Sequence, residues 1–297
     1  MVRLAHVSDI HVSTRPLGLR FRDLMNKRVT AYLNLRLGRG RRFTHAARIL
    51  AALADDLRSR ETAHVVFSGD ATNMGLESEL RRAVDLLGVA HFSGIAVPGN
   101  HDYLTKPTVA SGLFENHFSR WQQGERLDGH VYPFAQKVGD LWLVGVNSAR
   151  SNRWVWDATG EVGADQCRRL ERLLAHLPAG PRVLVTHYPV CLANNKPENK
   201  VHGLVDLKRV LEVAAAGGVI LWLHGHRHSF YYHQHPAAAP FPVICVGSST
   251  QTGLSSYADY RIEGNLLNGV RRVYDRGTHQ FRDGVSFTLK LPGSRSS

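Results

Sequence analysis

No apolar run in this 297-residue chain approaches the roughly 20 residues a helix needs to cross a bilayer; the nearest, such as Val219 to Leu223, are strand-sized. The chain is therefore not expected to span a membrane. Cysteine is scarce. Cys167, Cys191 and Cys245 are odd in number, widely separated and without a C-x-x-C pair, which fits reduced core thiols better than a disulfide framework. The opening residues lack the basic start, apolar middle and small-residue cleavage site of a secretory signal, so a cytoplasmic location is expected. There is no internal repeat and no low-complexity tract. Acid is in deficit: 37 Lys and Arg against 25 Asp and Glu give a formal charge of +12. Such a chain draws anions of any kind without choosing among them. With 43% hydrophobic and 21% charged residues the composition is globular, and one large domain over residues 1–291 is expected, with a frayed tail at 292–297.

Short stretches rich in Val, Ile, Leu and Phe recur: Arg3 to Val7, His64 to Phe67, Gly94 to Val97, Leu141 to Val146, Arg182 to Val185, Val219 to Leu223 and Val243 to Val246. Each ends in a polar cluster and reads as a buried strand. Helix-period segments lie between them at Thr44 to Leu57, Glu77 to Leu87 and Ala164 to Leu177, the first opened by a Thr suited to capping. This alternation predicts an α/β layered fold. From Arg261 to Leu291 the pattern changes to short β-like pieces split by glycines, a C-terminal β extension of a sheet.

One segment breaks the alternation. From Ser13 to Phe43 nine Arg and Lys residues face a single acid, Asp23, interleaved with Leu17, Leu19, Phe21, Leu24, Met25, Tyr32, Leu33 and Leu37. It reads as a basic amphipathic insertion of one or two short helices.

The chemistry-bearing residues fall at strand ends. Asp9-Ile-His11 follows the first strand, Gly69-Asp70 the second and Gly99-Asn100-His101-Asp102 the third; Thr186-His187 and Gly225-His226-Arg227-His228 follow later ones. In open α/β sheets, sites form at the carboxyl ends of strands, so these distant residues are expected to converge. Carboxylate, imidazole and carboxamide donors without thiolate suit hard to borderline divalent ions, Mn, Fe or Zn first and Mg admitted, rather than a structural zinc site. An Asp can bridge two such ions, which together clamp a phosphoryl group and acidify a water. The glycines before Asp70, Asn100 and His226 fit sharp turns close to the ligands.

The ordered series Asp9-Ile-His11, Gly69-Asp70-Ala-Thr-Asn73, Gly99-Asn100-His101-Asp102, Thr186-His187 and Gly225-His226-Arg227-His228 resembles the calcineurin-like metallophosphoesterase superfamily over about residues 1–250. The resemblance implies a four-layered αββα sandwich with two mixed sheets flanked by helices. It also implies Asp9, His11 and His228 on one metal, Asn100, His187 and His226 on the other, and Asp70 bridging. His101 would serve as the outer-sphere acid, oriented by Asp102. The implied reaction is in-line attack of a metal-bridging hydroxide on a phosphodiester or pyrophosphate. Asn73, where the family frequently carries Asp, departs from the pattern without touching the seven ligands.

Other residues have plainer readings. His6 is an in-strand histidine contacting its neighbours, His224 a strand-end residue, Asn147 a turn residue, and histidines 202, 233 and 235 solvated loop residues. Lys196 and Lys200 read as a surface pair. The insertion is either a cap on the domain or an element on an anionic membrane surface, leucines inserted and arginines at headgroup level, which favours a lipid-linked substrate and peripheral contact with the inner face of the membrane. Nucleic acid is disfavoured, because the segment is aromatic-poor and offers little for bases to stack on. Two alternatives stand beside this reading: a soluble cyclic-nucleotide phosphodiesterase, and a non-catalytic scaffold using the basic face.

Overall fold

The computed structural model, which describes residues 1–14, 27–154 and 156–293, sorts the buried stretches into two six-stranded mixed sheets. In the first, β1 (Val2–Val7), β2 (His64–Phe67) and β3 (Gly94–Ala96) run parallel. On the other edge of β1 the sheet continues antiparallel through β10 (Ser256–Glu263), β11 (Leu266–Asp275) and β12 (Gln280–Lys290). In the second, β5 (Leu141–Gly145), β6 (Arg182–Val185), β7 (Val219–His224) and β9 (Val243–Cys245) are parallel, with β4 (Phe134–Val138) and β8 (Tyr231–His233) antiparallel at the edges.

The two-residue period of a strand sends alternate side chains to opposite faces, and here both faces are apolar. Leu4, Val66 and Ile95 of the first sheet meet Leu143, Val183, Leu223 and Ile244 of the second in a dry seam. Their neighbours Ala5, Val65, Phe67, Trp142, Leu184 and Trp222 join the outer core with the helices. Helices α3 (Ala46–Ser59) and α4 (Glu77–Leu87) pack together, α3 also on β12, while α5 (Ala164–His176) packs on α6 (Leu207–Ala216), which lies on β7. The result is the expected four-layered αββα sandwich. No helix among the described residues is long and apolar enough to cross a membrane. All three cysteines are buried and free.

Some local expectations need correction. Thr44 does not cap α3; its hydroxyl donates back to the carbonyls of Gly40 and Arg41, because the chain is already helical before it. Strands β4 and β8, edge strands with exposed polar positions, and helix α6 are elements beyond those expected from the sequence. Of the basic insertion, Arg15, Leu17, Leu19, Arg20, Phe21, Arg22, Asp23, Leu24 and Met25 lie outside the described residues, as do residues 294–297 of the tail. The remainder forms α1 (Arg28–Asn34), a π-helical stretch (Leu35–Arg39) and the short α2 (Gly40–Arg42). Arg28 fastens α1 to the body, donating to the carbonyls of Met74 and Gly75 and to the Thr108 hydroxyl.

Glu79, fully buried in the first turn of α4, accepts hydrogen bonds from the amides of Met74 and Leu76. Burial nonetheless pushes its carboxyl up to about 8, against an ordinary 4.5. The folded chain thus holds a proton that the unfolded chain has released, and stability falls as pH rises between those values. Glu79→Gln is expected to flatten this loss: between pH 5 and 8 the melting temperature should drop less in the variant than in the wild type. Identical pH slopes would contradict the assignment.

Candidate metal centre

All seven expected ligands lie together at the carboxyl ends of the strands. Nε2 of His228 is 3.2 Å from Asp9 Oδ1 and 3.2 Å from Nε2 of His11, which in turn is 3.6 Å from Asp70 Oδ2. The ligand atoms of Asp9, His11, Asp70 and His228 are all within 4.8 Å of one another. A second group adjoins the first: Asn100 Oδ1 is 3.2 Å from His187 Nε2 and 3.1 Å from His226 Nδ1, and these two nitrogens are 3.2 Å apart. Asp70 Oδ2 stands 3.6 Å from His187 Nε2, so one oxygen borders both groups.

Hydrogen bonding behind the rings decides what faces inward. His11 Nδ1 meets the Thr72 carbonyl at 3.0 Å and His187 Nδ1 the Ser68 carbonyl at 2.8 Å. Carbonyls only accept, so each Nδ1 carries the proton and each Nε2 turns a lone pair into the centre. His228 Nδ1 lies 2.5 Å from Gln251 Oε1, an arrangement of the same kind. Asp9 Oδ1 is buried without a hydrogen bond of its own. Two carboxylates and a ring of lone pairs with almost no protons between them is an arrangement that cations, not hydrogen bonds, complete.

The titrations follow from this crowding. Burial lowers His11 and His226 far below the ordinary histidine value, with neighbouring cationic groups adding to the effect. Burial raises Asp70, against the pull of His187. For Asp9 burial also acts upward, but the charge of the nearby His228 outweighs it and holds the carboxyl below its usual range. Burial lowers His228 as well, yet Asp9 and Gln251 reverse the balance and leave it raised.

The backbone is bent to aim these groups. Asp9, His11, Asp70, His226 and His228 all have positive φ, between 42° and 73°, five of the eight non-glycine residues so placed among those described. Each costs on the order of 1 kcal/mol or more, while one fully buried leucine or phenylalanine contributes about 1.5–3 kcal/mol. The apolar seam below can therefore carry the strain. Cross-links fix the bends: the carbonyls of Asp9, Ile10 and His11 accept from Ser248 Oγ, Thr250 Oγ1 and Asn73 Nδ2. The amides of Asp9 and His11 donate to the carbonyls of Gly69 and Asp70.

The expected pairing of Asp102 with His101 is corrected. Nδ1 of His101 meets the Asn73 carbonyl at 2.9 Å. The Asp102 carboxylate instead accepts from the amides of Ala71, Thr72 and Gly99 and from the Thr72 hydroxyl. It is a clasp between the loops after β2 and β3, because its short side chain lies under backbone amides that nothing else satisfies. Burial and the nearby Asp70 raise it to about 7 despite those donors. His101 itself borders the centre, its ring 5.0 Å from that of His11 and its amide on Asp70 Oδ1 at 2.8 Å; burial and Arg39 hold it well below the ordinary histidine value.

The family model for calcineurin-like phosphoesterases matches residues 2–230. The chain belongs to this family. Among solved structures, this calcineurin-like phosphoesterase is similar to a dimetal phosphatase from Danio rerio, with a TM-score of 0.65 at 14% identity, covering 98% of this chain and 99% of that one. It is also similar to a purple acid phosphatase from yellow lupin (Lupinus luteus) seeds, with a TM-score of 0.59 at 11% identity, covering 97% of this chain and 53% of that one. At such identities the likeness is one of fold. No curated protein matches the chain significantly.

Residues outside the family motifs also shape the centre. Gln251, Ser248 and Thr250 sit in the loop after β9, where no sequence pattern marks them. Phe43 lays its ring 4.6 Å from that of His11, and Tyr188 lies 4.5 Å from that of His226. His6 is the expected in-strand histidine, linking Tyr260 and Ser68, whereas His233, expected in a solvated loop, lies instead in the edge strand β8 with Nε2 on the Leu192 carbonyl.

A methyl group on Gly225 would lie 2.6 Å from Asp9 Oδ2 and collide with the Ser8 hydroxyl. Gly225→Ala is therefore expected to retain less manganese than the wild type after loading and desalting, measured by elemental analysis. Gly129→Ala, whose methyl meets nothing within 4 Å, should retain the wild-type content. Equal metal in both variants would contradict the placement of Asp9.

Proposed function

We propose that this calcineurin-like phosphoesterase hydrolyses a phosphodiester or pyrophosphate bond at a two-metal centre, on a substrate presented at an anionic membrane surface. The observation that carries the reading is the pair of lone-pair clusters meeting at one oxygen of Asp70. Asp9, His11 and His228 would hold one divalent ion, Asn100, His187 and His226 the other, and Asp70 both. The donor set suits Mn, Fe or Zn, with Mg admitted. Ions so held would neutralise phosphoryl charge and make a water nucleophilic near neutral pH. The protein's own part is to fix geometry: carbonyls behind the rings set tautomers, and the strained turns keep the ligands from relaxing apart. His101, its Nδ1 committed to Asn73, has Nε2 left for the leaving oxygen, and an approaching phosphoryl anion favours the imidazolium form that can donate there.

The membrane part rests on what the insertion leaves outward. Arg36, Arg41 and Arg42 are exposed, and Leu37 is 81% exposed beside them. Near an anionic leaflet each arginine contributes about 1 kcal/mol. A neighbouring loop adds the stacked, exposed pair Trp154 and Trp156 with Arg153 over the Trp154 ring. Lys27 reaches that loop at the Asp157 carbonyl, so the two elements adjoin. Tryptophan and arginine side by side suit the headgroup level of a bilayer.

One panel tests both parts. With manganese, the wild type should hydrolyse bis(p-nitrophenyl) phosphate or a lipid-linked pyrophosphate, and Asp70→Asn should lose at least about 100-fold in kcat/KM, in line with the several kcal/mol a metal centre supplies. Protein should float with anionic liposomes and not with neutral ones. Turnover indifferent to Asp70 would remove the two-metal reading; failure to float would remove the membrane part alone.

A further inference from the structure

We infer that Arg39, delivered by the basic insertion rather than by the catalytic strands, grips the non-bridging phosphoryl oxygens of the substrate; this deepens the two-metal reading above and rests on it. The insertion's other described arginines from its helical end, Arg36, Arg41 and Arg42, are exposed, whereas Arg39 is turned inward. Its Nη2 lies 3.2 Å from Nε2 of His11 and 3.5 Å from Nδ1 of the same ring. Near-equal distances to both nitrogens place it out of line with either lone pair. Nδ1 is in any case committed to the Thr72 carbonyl. The guanidinium is thus beside the centre without replacing a ligand contact in it.

Its donors are largely unspent. Nε is buried with no hydrogen-bond partner, and among the described residues no carboxylate lies within 4 Å of the guanidinium. Beside it lies the Phe43 ring, 5.9 Å from its central carbon and itself buried against His11. A largely enclosed cation without a carboxylate is costly to maintain unless an anion completes it. Once Asp9 and Asp70 are neutralised by divalent ions, the nearest negative charge available to Arg39 is that of a phosphoryl group on those ions. A planar guanidinium fork matches the oxygens of such a group.

The position is built, not incidental. The helical run that starts at Arg28 breaks its backbone at Gly38, immediately before Arg39. Arg28 pins the run upstream on Met74, Gly75 and Thr108, and downstream the Arg42 carbonyl accepts from the Thr252 amide, next to Gln251 behind His228. The insertion is thereby fastened to the loops after β2 and β9, with Arg39 between the two fastenings. An element whose outer face suits an anionic surface would carry on its inner face the residue that receives a phosphoryl group from that surface.

The test compares wild type, Arg39→Ala, Arg39→Lys and Arg58→Ala, all manganese-loaded, for metal content, for orthophosphate affinity by calorimetry and for turnover of bis(p-nitrophenyl) phosphate. Arg58 is an exposed residue paired with Asp55, and its removal lowers the net charge equally. Losing a hydrogen-bonded charge contact should weaken orthophosphate binding by roughly 10- to 100-fold in Arg39→Ala, with unchanged metal content and a comparable loss in kcat/KM. Arg39→Lys should recover part of the affinity, and Arg58→Ala should match the wild type. The inference is overturned if Arg39→Ala binds orthophosphate as tightly as the wild type or more tightly, if it fails to load metal, or if Arg58→Ala is weakened to the same extent. A wild type that takes up no metal would instead sink the two-metal reading underneath.

Discussion

One carboxylate oxygen joins the two halves of the centre. Oδ2 of Asp70 stands 3.6 Å from Nε2 of His11 and 3.6 Å from Nε2 of His187, although those histidines come from opposite sheets. For a single oxygen to serve both, β1 and β2 of one sheet and β6 and β7 of the other must end at the same height. The dry seam of Leu4, Val66, Val183 and Leu223 sets that height. The Asp70 turn must also bend sharply, and Gly99 allows it: a methyl there would collide with the Asp70 carboxylate and its backbone nitrogen. Sheet packing and the position of Asp70 are thus one constraint.

The groups behind the ligands convert that convergence into a defined electrostatic state. Backbone carbonyls of Ser68 and Thr72 fix the tautomers of His187 and His11, so the lone pairs cannot swing outward. Asp102, tied to three amides, locks the loop carrying Asp70 to the loop carrying Asn100. The left-handed Asp9, His11 and Asp70 then persist because the carbonyls of Asp9, Ile10, His11 and Asp70 are already occupied, and relaxation would break several hydrogen bonds at once. Preorganisation of this kind is what a charged transition state needs from a protein.

How much of this was legible in the sequence depended on how local the signal was. The seven candidate ligands could be read because each directly follows an apolar strand and carries a donor type that a buried turn rarely keeps without a partner. The parallel strands were legible for the same reason, being continuous apolar runs such as Val219 to Leu223. Asp102 is legible as a motif residue but its partner is not, since adjacency to His101 in sequence says nothing of where a short side chain points once the backbone turns. Ser248 and Thr250 act through contacts 239 and 240 residues away along the chain, and Gln251 through one 23 residues away, which composition cannot register. Strand β4 mixes Gln136 and Lys137 into its pattern because one edge faces water, and so lost the alternation by which strands are recognised.

The insertion carries two kinds of arginine within seven residues. Arg36, Arg41 and Arg42 face outward, whereas Arg39 approaches His11. Charge counting treats them alike; position separates a surface field from a local contact, the first screened by salt over about 8–10 Å and the second much less so. The central claim, that Asp70 is shared by two cations, is tested most directly by anomalous diffraction from manganese-loaded crystals. The account requires two peaks roughly 3.5–4 Å apart, one among Asp9, His11 and His228 and one among Asn100, His187 and His226, with Asp70 between them. A single peak, or two peaks that Asp70 does not join, would contradict it.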